Sequence, residues 1–128
     1  MKCCFIGHRD GSGMEQIIKN YIEKLIKIGV TDFYSGGMGN FDKECEKQAK
    51  KAGGKIVFVP YNKSRIKFSD EFWYDEIICP SGDKEYSKFD IPNRNKWLVD
   101  STDICLCYVY KDGVAKRTFD YAVKKNKK

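Results

Sequence analysis

The chain has 128 residues, 24 Lys and Arg against 18 Asp and Glu for a formal net charge of +6, 41% hydrophobic residues and 33% charged ones. That length and mix predict one soluble domain, residues 1–128, with a core large enough to fold without staples. They exclude a membrane helix, because no apolar run approaches the ~18 residues that a span requires; nor does Met1-Lys2, followed at once by a short strand, predict a signal peptide, so the expected setting is cytoplasmic.

The elements alternate along the chain. Lys2 to Ile6 reads as a short buried strand, and it runs into the polar glycine stretch Gly7-His8-Arg9-Asp10-Gly11-Ser12-Gly13. A helix follows from about Ser12 to Ile28, with Ile17, Ile18, Tyr21, Ile22, Leu25, Ile26 and Ile28 at helical spacing. Gly29 closes it. A second strand, Asp32 to Tyr34, leads through Ser35-Gly36-Gly37-Met38-Gly39-Asn40-Phe41 to a helix from Asp42 to about Ala52, and Gly53-Gly54 precedes a third strand, Lys55 to Val59. This β-α-β-α-β order, with apolar strands and short loops, predicts an α/β fold: a mostly parallel sheet of about five strands with helices on both faces.

From Tyr61 to Phe89 the chain is polar and aromatic, and a short helix near Ser69 to Tyr74 and a strand near Glu76 to Cys79 are expected there. Phe68, Phe72, Trp73 and Tyr74 suit cover for one sheet edge; a ligand wall or a dimer contact are the alternatives. Ile91 to Asp100 has a helix pattern with Pro92 near its start, Ile104 to Tyr110 reads as the fifth strand, and Lys111-Asp112-Gly113 turns into a last helix from about Ala115. Trp97 and Leu98 are expected to pack inward. Residues 121–128, which end in Lys124-Lys125-Asn126-Lys127-Lys128, are expected to fray as a basic tail that carries much of the charge excess.

Two strand–glycine loop–helix units are the chemical signal. Glycine lets backbone approach an anion, and the free N–H groups of a helix's first turn point at it with the positive end of the dipole. In a parallel sheet such loops converge at the carboxyl ends of the strands. Arg9 there could grip a phosphate or carboxylate, or stand as a solvated cation; Arg94, at the start of its helix, could do the same or pair with Asp90 or Asp100. His8 is the only histidine, which excludes a multi-histidine metal site and leaves one residue around which a triad could form. Cys3, Cys4, Cys79, Cys105 and Cys107 lie in apolar stretches and read as core thiols, with Cys45 half-buried or at the surface, so neither disulfides, a metal nor another cofactor is expected. No basic face interleaved with aromatics is evident in the linear sequence, and nucleic acid is not an expected partner.

Four segments carry a resemblance. Cys4-Phe5-Ile6-Gly7-His8-Arg9, the Ser35 to Asp42 loop, Arg94-Asn95 leading to Val99-Asp100-Ser101-Thr102-Asp103, and Gly113-Val114-Ala115-Lys116-Arg117-Thr118-Phe119-Asp120-Tyr121-Ala122 resemble, in order, the motifs of the SLOG superfamily. This Rossmann-like group includes DNA-processing protein A and the Lonely Guy phosphoribohydrolases, and the chain looks most like its small YpsA-like branch. The resemblance implies a single Rossmann-like domain, often a homodimer, that binds a nucleotide or nucleotide-derived ligand. It implies a first-strand loop of Gly7, His8 and Arg9, a phosphate and ribose loop of Ser35, Gly36, Gly37, Met38, Gly39, Asn40 and Asp42, a ligand-facing pair Arg94 and Asn95, and a last anion loop at Gly113 and Thr118. Lonely Guy enzymes show Pro-Gly-Gly-x-Gly-Thr-x-x-Glu at that last loop; here the glycine cluster is missing and Tyr121 stands in place of the glutamate that supports N-glycosidic cleavage. Asp42, Glu44 or Asp120 could substitute, but a one-residue shift on a helix turns a side chain by roughly 100°. Binding is therefore favoured over an N-glycosidase, phosphoribohydrolase or ribosyl-transfer reaction, with a protein-interaction or DNA-associated module as the third reading.

Overall fold

The computed structural model describes residues 1–7, 13–82, 85–109 and 113–125. Five strands, β1 (Lys2–Gly7), β2 (Asp32–Ser35), β3 (Lys55–Phe58), β4 (Glu76–Ile77) and β5 (Ile104–Tyr108), form one sheet in the order β4-β3-β2-β1-β5. Every pairing is parallel. The helices are α1 (Glu15–Lys27), α2 (Gly39–Lys51), the single turn α3 (Asp70–Trp73), α4 (Asp90–Ser101) and α5 (Val114–Lys124), with a 3-10 turn at Lys63–Arg65.

The alternation of side chains along each strand divides the core into two layers. Cys3 and Phe5 of β1, Phe33 of β2, and Ile56 and Phe58 of β3 pack with Ile18 and Ile22 of α1 and with Phe41, Cys45 and Ala49 of α2. Cys4, Ile6, Tyr34, Val57 and Val59 face the other way, onto Leu98 of α4, with Trp97 and Ala115 at the margin. The sheet is thus covered on both faces, which is why its strands read as continuous apolar runs. Burying each large apolar side chain contributes about 2 kcal/mol.

Several boundaries differ from expectation for local reasons. Helix α2 begins at Gly39, three residues before Asp42, because the Asp42 carboxylate accepts the Met38 N–H at 3.1 Å and holds the earlier turn in place. Helix α5 continues to Lys124, with Ala122 buried, so residues 121–124 are helical where fraying was expected; 126–128 lie outside the described residues. Cys45 is buried, because it follows Phe41 by one helical turn on the inner face of α2. The six cysteines are free thiols. Among the described residues no helix is long and apolar enough to cross a membrane.

The aromatic segment departs furthest from expectation. Tyr74 alone covers the sheet, stacked on Phe58 with ring centroids 4.6 Å apart, while Phe68 and Phe72 are 80% and 75% exposed. Tyr74 sits on the inner side because its hydroxyl finds a buried partner there, described below.

Candidate functional site

The order of the strands locates the crevice. The chain steps outward from β1 through β2 and β3 to β4, then returns through α4 to place β5 on the opposite side of β1. Connections that leave neighbouring strands in opposite directions open a gap at the carboxyl ends, where open α/β sheets bind ligands. Gly7, at the end of β1, the Ser35–Met38 loop after β2, and Gly113, after β5, all belong to that rim.

The glycines of this rim make room for the protein's own side chains. A Cβ on Gly7 would overlap the Phe41 ring, and one on Gly36 would stand 2.5 Å from the Arg94 Nη1. Gly37 takes φ +67°, and a Cβ there would meet Phe58 at 2.6 Å. Each close approach brings a buried side chain up against the loop backbone.

Arg94 is the brace. Its side chain is buried (5% exposed), and Nη1 donates to the Val59 carbonyl at 2.9 Å and to the Gly36 carbonyl at 3.2 Å. Nε donates to Asn95 Oδ1 at 2.7 Å, and Nη2 reaches the Met38 sulfur at 3.4 Å. One guanidinium from α4 therefore ties together the loops that follow β2 and β3, a geometry that its planar fork of donors suits. Asp42 lies nearby. Burial pushes its carboxyl up to about 7, opposed by the Met38 N–H and by the Arg94 charge.

A second buried carboxylate supports the loop from below. Glu46, fully buried, accepts the Ser35 hydroxyl at 2.5 Å, the Trp73 indole N–H at 3.1 Å and the Tyr74 hydroxyl at 3.0 Å from each carboxylate oxygen. The Ser35 oxygen in turn accepts the Gly37 N–H at 3.1 Å. Backbone, serine, glutamate and tyrosine thus form one chain of hydrogen bonds that fixes the loop. Burial, followed by the neighbouring Glu46, raises the Tyr74 hydroxyl above its ordinary value.

Beside the rim, an open cleft of about 270 Å³ lies between the starts of α1 and α2, lined by Gly13, Met14, Glu15, Asn40, Lys43, Glu44 and Lys47. Among the described residues, no group of three or more His, Cys, Asp or Glu side chains is arranged to hold a metal ion.

No family model and no curated protein matches this chain. Solved structures do. DNA processing protein A from Streptococcus pneumoniae superposes with a TM-score of 0.79 at 18% identity, covering 98% of this chain and 48% of that one, so this chain spans about half its length. The molybdenum cofactor binding protein from the phototrophic bacterium Rippkaea orientalis gives 0.72 at 18% identity over 98% of this chain and 72% of that one, and the protein TM1055 gives 0.72 at 15% over 98% and 70%. The chain shares the Rossmann-like α/β fold of these structures.

On this scaffold the site residues anticipated from sequence fall into three groups. Ser35, Gly36, Gly37, Met38, Asp42, Arg94 and Asn95 are brought together in one cluster by direct contacts. Asn40 and Glu44 open onto the adjacent cleft, where Glu44 accepts from Gln48 at 2.6 Å, and Gly39 takes φ +84° at the turn between cluster and cleft. Gly113 and Thr118 belong to α5, apart from that cluster: Gly113 is its N-terminal cap at φ +143°, and the buried Thr118 hydroxyl donates back to the Val114 carbonyl. Asp120 pairs with Lys116 on the exposed side of α5, and Tyr121 donates to Asp100 of α4 at 2.8 Å, joining the two helices. His8 and Arg9 lie outside the described residues.

Sequence reasoning chose Glu44 and overlooked Glu46. Phe41, Asp42, Cys45, Glu46 and Ala49 share one buried helical face. The apolar residues at 41, 45 and 49 already define that face by spacing, and both carboxylates sit on it. The donors Trp73 and Tyr74 lie in a different segment, and no sequence spacing links them to Glu46.

Proposed function

We propose that the chain binds a nucleotide or nucleotide-derived anionic ligand in the crevice at the carboxyl ends of β1, β2 and β5, as a sensor, carrier or sequestering protein. The observation that carries this reading is the β2–α2 loop, whose backbone is held open by two buried networks, one through Arg94 and one through Glu46. A loop fixed before the ligand arrives loses little entropy on binding. The first turn of α2 supplies free N–H groups and the positive end of a helix dipole beside it. That a cofactor-binding protein has the same fold supports a small-molecule ligand.

Binding without turnover is the better reading because the candidate carboxylates are committed elsewhere. Asp42 holds Met38, Glu44 holds Gln48 and Asp120 holds Lys116. In the same reading His8, Arg9, Gly113 and Thr118 complete the crevice, residues 1–128 act as one domain, and the protein works as a cytoplasmic homodimer.

Thermal denaturation against a panel of nucleoside monophosphates, cyclic nucleotides and ADP-ribose is the test. A true ligand at about 100 times its Kd adds about 2.7 kcal/mol to stability, and chromatography of the mixture should return it intact. Release of free base would replace binding with hydrolysis, and no shift across the panel would remove the proposal.

A further inference from the structure

Helix α1 is apolar on two sides. Ile18 and Ile22 are buried in the core, but Ile17, Tyr21 and Ile28 are 53%, 52% and 60% exposed. With Lys24 these three recur at i, i+4, i+7 and i+11, which keeps all four within about 60° of one another around the helix. Gln16, Asn20 and Lys27 border the stripe toward solvent, Gln16 donating to Asn20 at 3.0 Å, and the half-buried Met14 and Leu25 border it toward the core. Glu15, roughly 160° around the helix from Ile17, lines the cleft shared with α2, so α2 lies on the other flank. Leu98 of α4 and Ala115 of α5 belong to the opposite face of the sheet. Among the described residues the stripe therefore faces no second helix, and Leu106 of the edge strand β5 is only half-buried on the same side. Apolar side chains exposed singly are ordinary; three on one helical stripe mark a contact surface.

We propose that a second copy of this chain docks on the stripe, α1 against α1 and antiparallel about a two-fold axis. The inference rests on the homodimer reading above and gives that reading a surface. The order of the four residues is what selects a second copy: in either direction the spacing is four, three, four, with isoleucine at both ends. A two-fold contact sets each residue against a fixed residue of the other copy. Centred between Ile22 and Glu23, it places Ile17 against the partner's Ile28 and Tyr21 against the partner's Lys24. Lys24 Nζ already lies 5.7 Å from the ring centroid of Tyr21 in its own chain, and across the axis each ring can hold the other copy's ammonium in the same way. An unrelated partner would require no such symmetry. Because α1 starts at the rim and runs away from it, the antiparallel arrangement points the two crevices in opposite directions, each built from one chain.

Sedimentation equilibrium of the full chain is the test. The native chain, 14.8 kDa, is expected to sediment at twice its mass at about 200 µM. Ile17→Lys with Ile28→Lys sets like charges against each other at both ends of the contact and should weaken association roughly 100-fold or more. Ile17→Glu with Ile28→Lys sets opposite charges there and should restore much of it. Both altered side chains are exposed, and thermal melts check that the variants fold. A native chain that is monomeric at that concentration overturns the proposal together with the homodimer reading. A dimer that persists in the double-lysine variant overturns the surface and leaves the homodimer reading standing. Failure of the glutamate–lysine variant to recover association refutes the antiparallel pairing. Nucleotide-induced thermal shifts should be equal in the native and double-lysine proteins; a shift lost with the dimer would mean that the crevice needs both copies, which this arrangement forbids.

Discussion

The inner and outer faces of α2 use the same residue classes to opposite ends. Inside, Asp42 and Glu46 are removed from water and paid for by hydrogen bonds from Met38, Ser35, Trp73 and Tyr74. Outside, Lys43, Lys47 and Lys50 are exposed, Lys50 donating to the Trp73 carbonyl and Lys43 to the Tyr74 hydroxyl, with Glu44 beside Lys43 and Lys47 at the cleft. The buried charges are few, geometrically fixed and expensive to disturb; the exposed ones are individually replaceable and act as a field. A site on this scaffold is therefore shaped from the inside of the helix and advertised from the outside.

The comparison is broken most severely at Glu46. Replacing it by alanine removes the common acceptor of three buried or half-buried donors and leaves a cavity, and the expected loss is about 3–5 kcal/mol. Urea denaturation should show this as a lower midpoint with an unchanged slope. Glu46→Gln retains an acceptor oxygen and should cost much less. Equal losses in the two variants would mean that the charge of Glu46, and not its role as acceptor, holds the loop.

Next in size is Gly36→Ala, where a methyl group would press on the Arg94 guanidinium that bonds the same residue's carbonyl. A loss of about 2 kcal/mol is expected. Ligand affinity should fall more than stability does, because the displaced group is the brace between the β2 and β3 loops. A thermal melt with and without the best nucleotide of the panel separates the two effects. Affinity that survives the substitution would take the crevice reading away from this loop.

The sequence made Gly36 visible but not its purpose. Strand–loop–helix order, the closing Gly29 and the apolar strands were all legible, because period and punctuation are local properties of a chain. The resemblance implied a ligand-facing Arg94 and a phosphate loop from Ser35 to Asp42; what the structure shows is the buried Arg94 guanidinium in contact with that loop. Long-range pairing was not legible: Glu46 meets Tyr74 across 28 residues, and nothing local marks either as the other's partner. The sorting of charge on α2 was hidden for a different reason. Composition averages a helix over its whole circumference, and only burial reveals that Asp42 and Glu46 are enclosed while Lys43, Lys47 and Lys50 are exposed.

The last expected effect lies in pH dependence and belongs to Asp42. Unfolded, its carboxyl ionises near the ordinary value of 3.8; folded, burial holds it to about 7. Between those values the folded state keeps a proton that the unfolded state has lost, so this group's contribution to stability falls as pH rises through the window and is lowest above it. Asp42→Asn keeps an acceptor for the Met38 N–H and has no charge to bury. Its stability should match the parent near pH 4 and exceed it by a margin that grows as pH rises to 8. Denaturation midpoints of the two proteins from pH 4 to 8 should therefore diverge with rising pH. Parallel curves would mean that Asp42 is already ionised in the fold, neutralised by Arg94, and that the inner face of α2 tolerates charge as readily as the outer one.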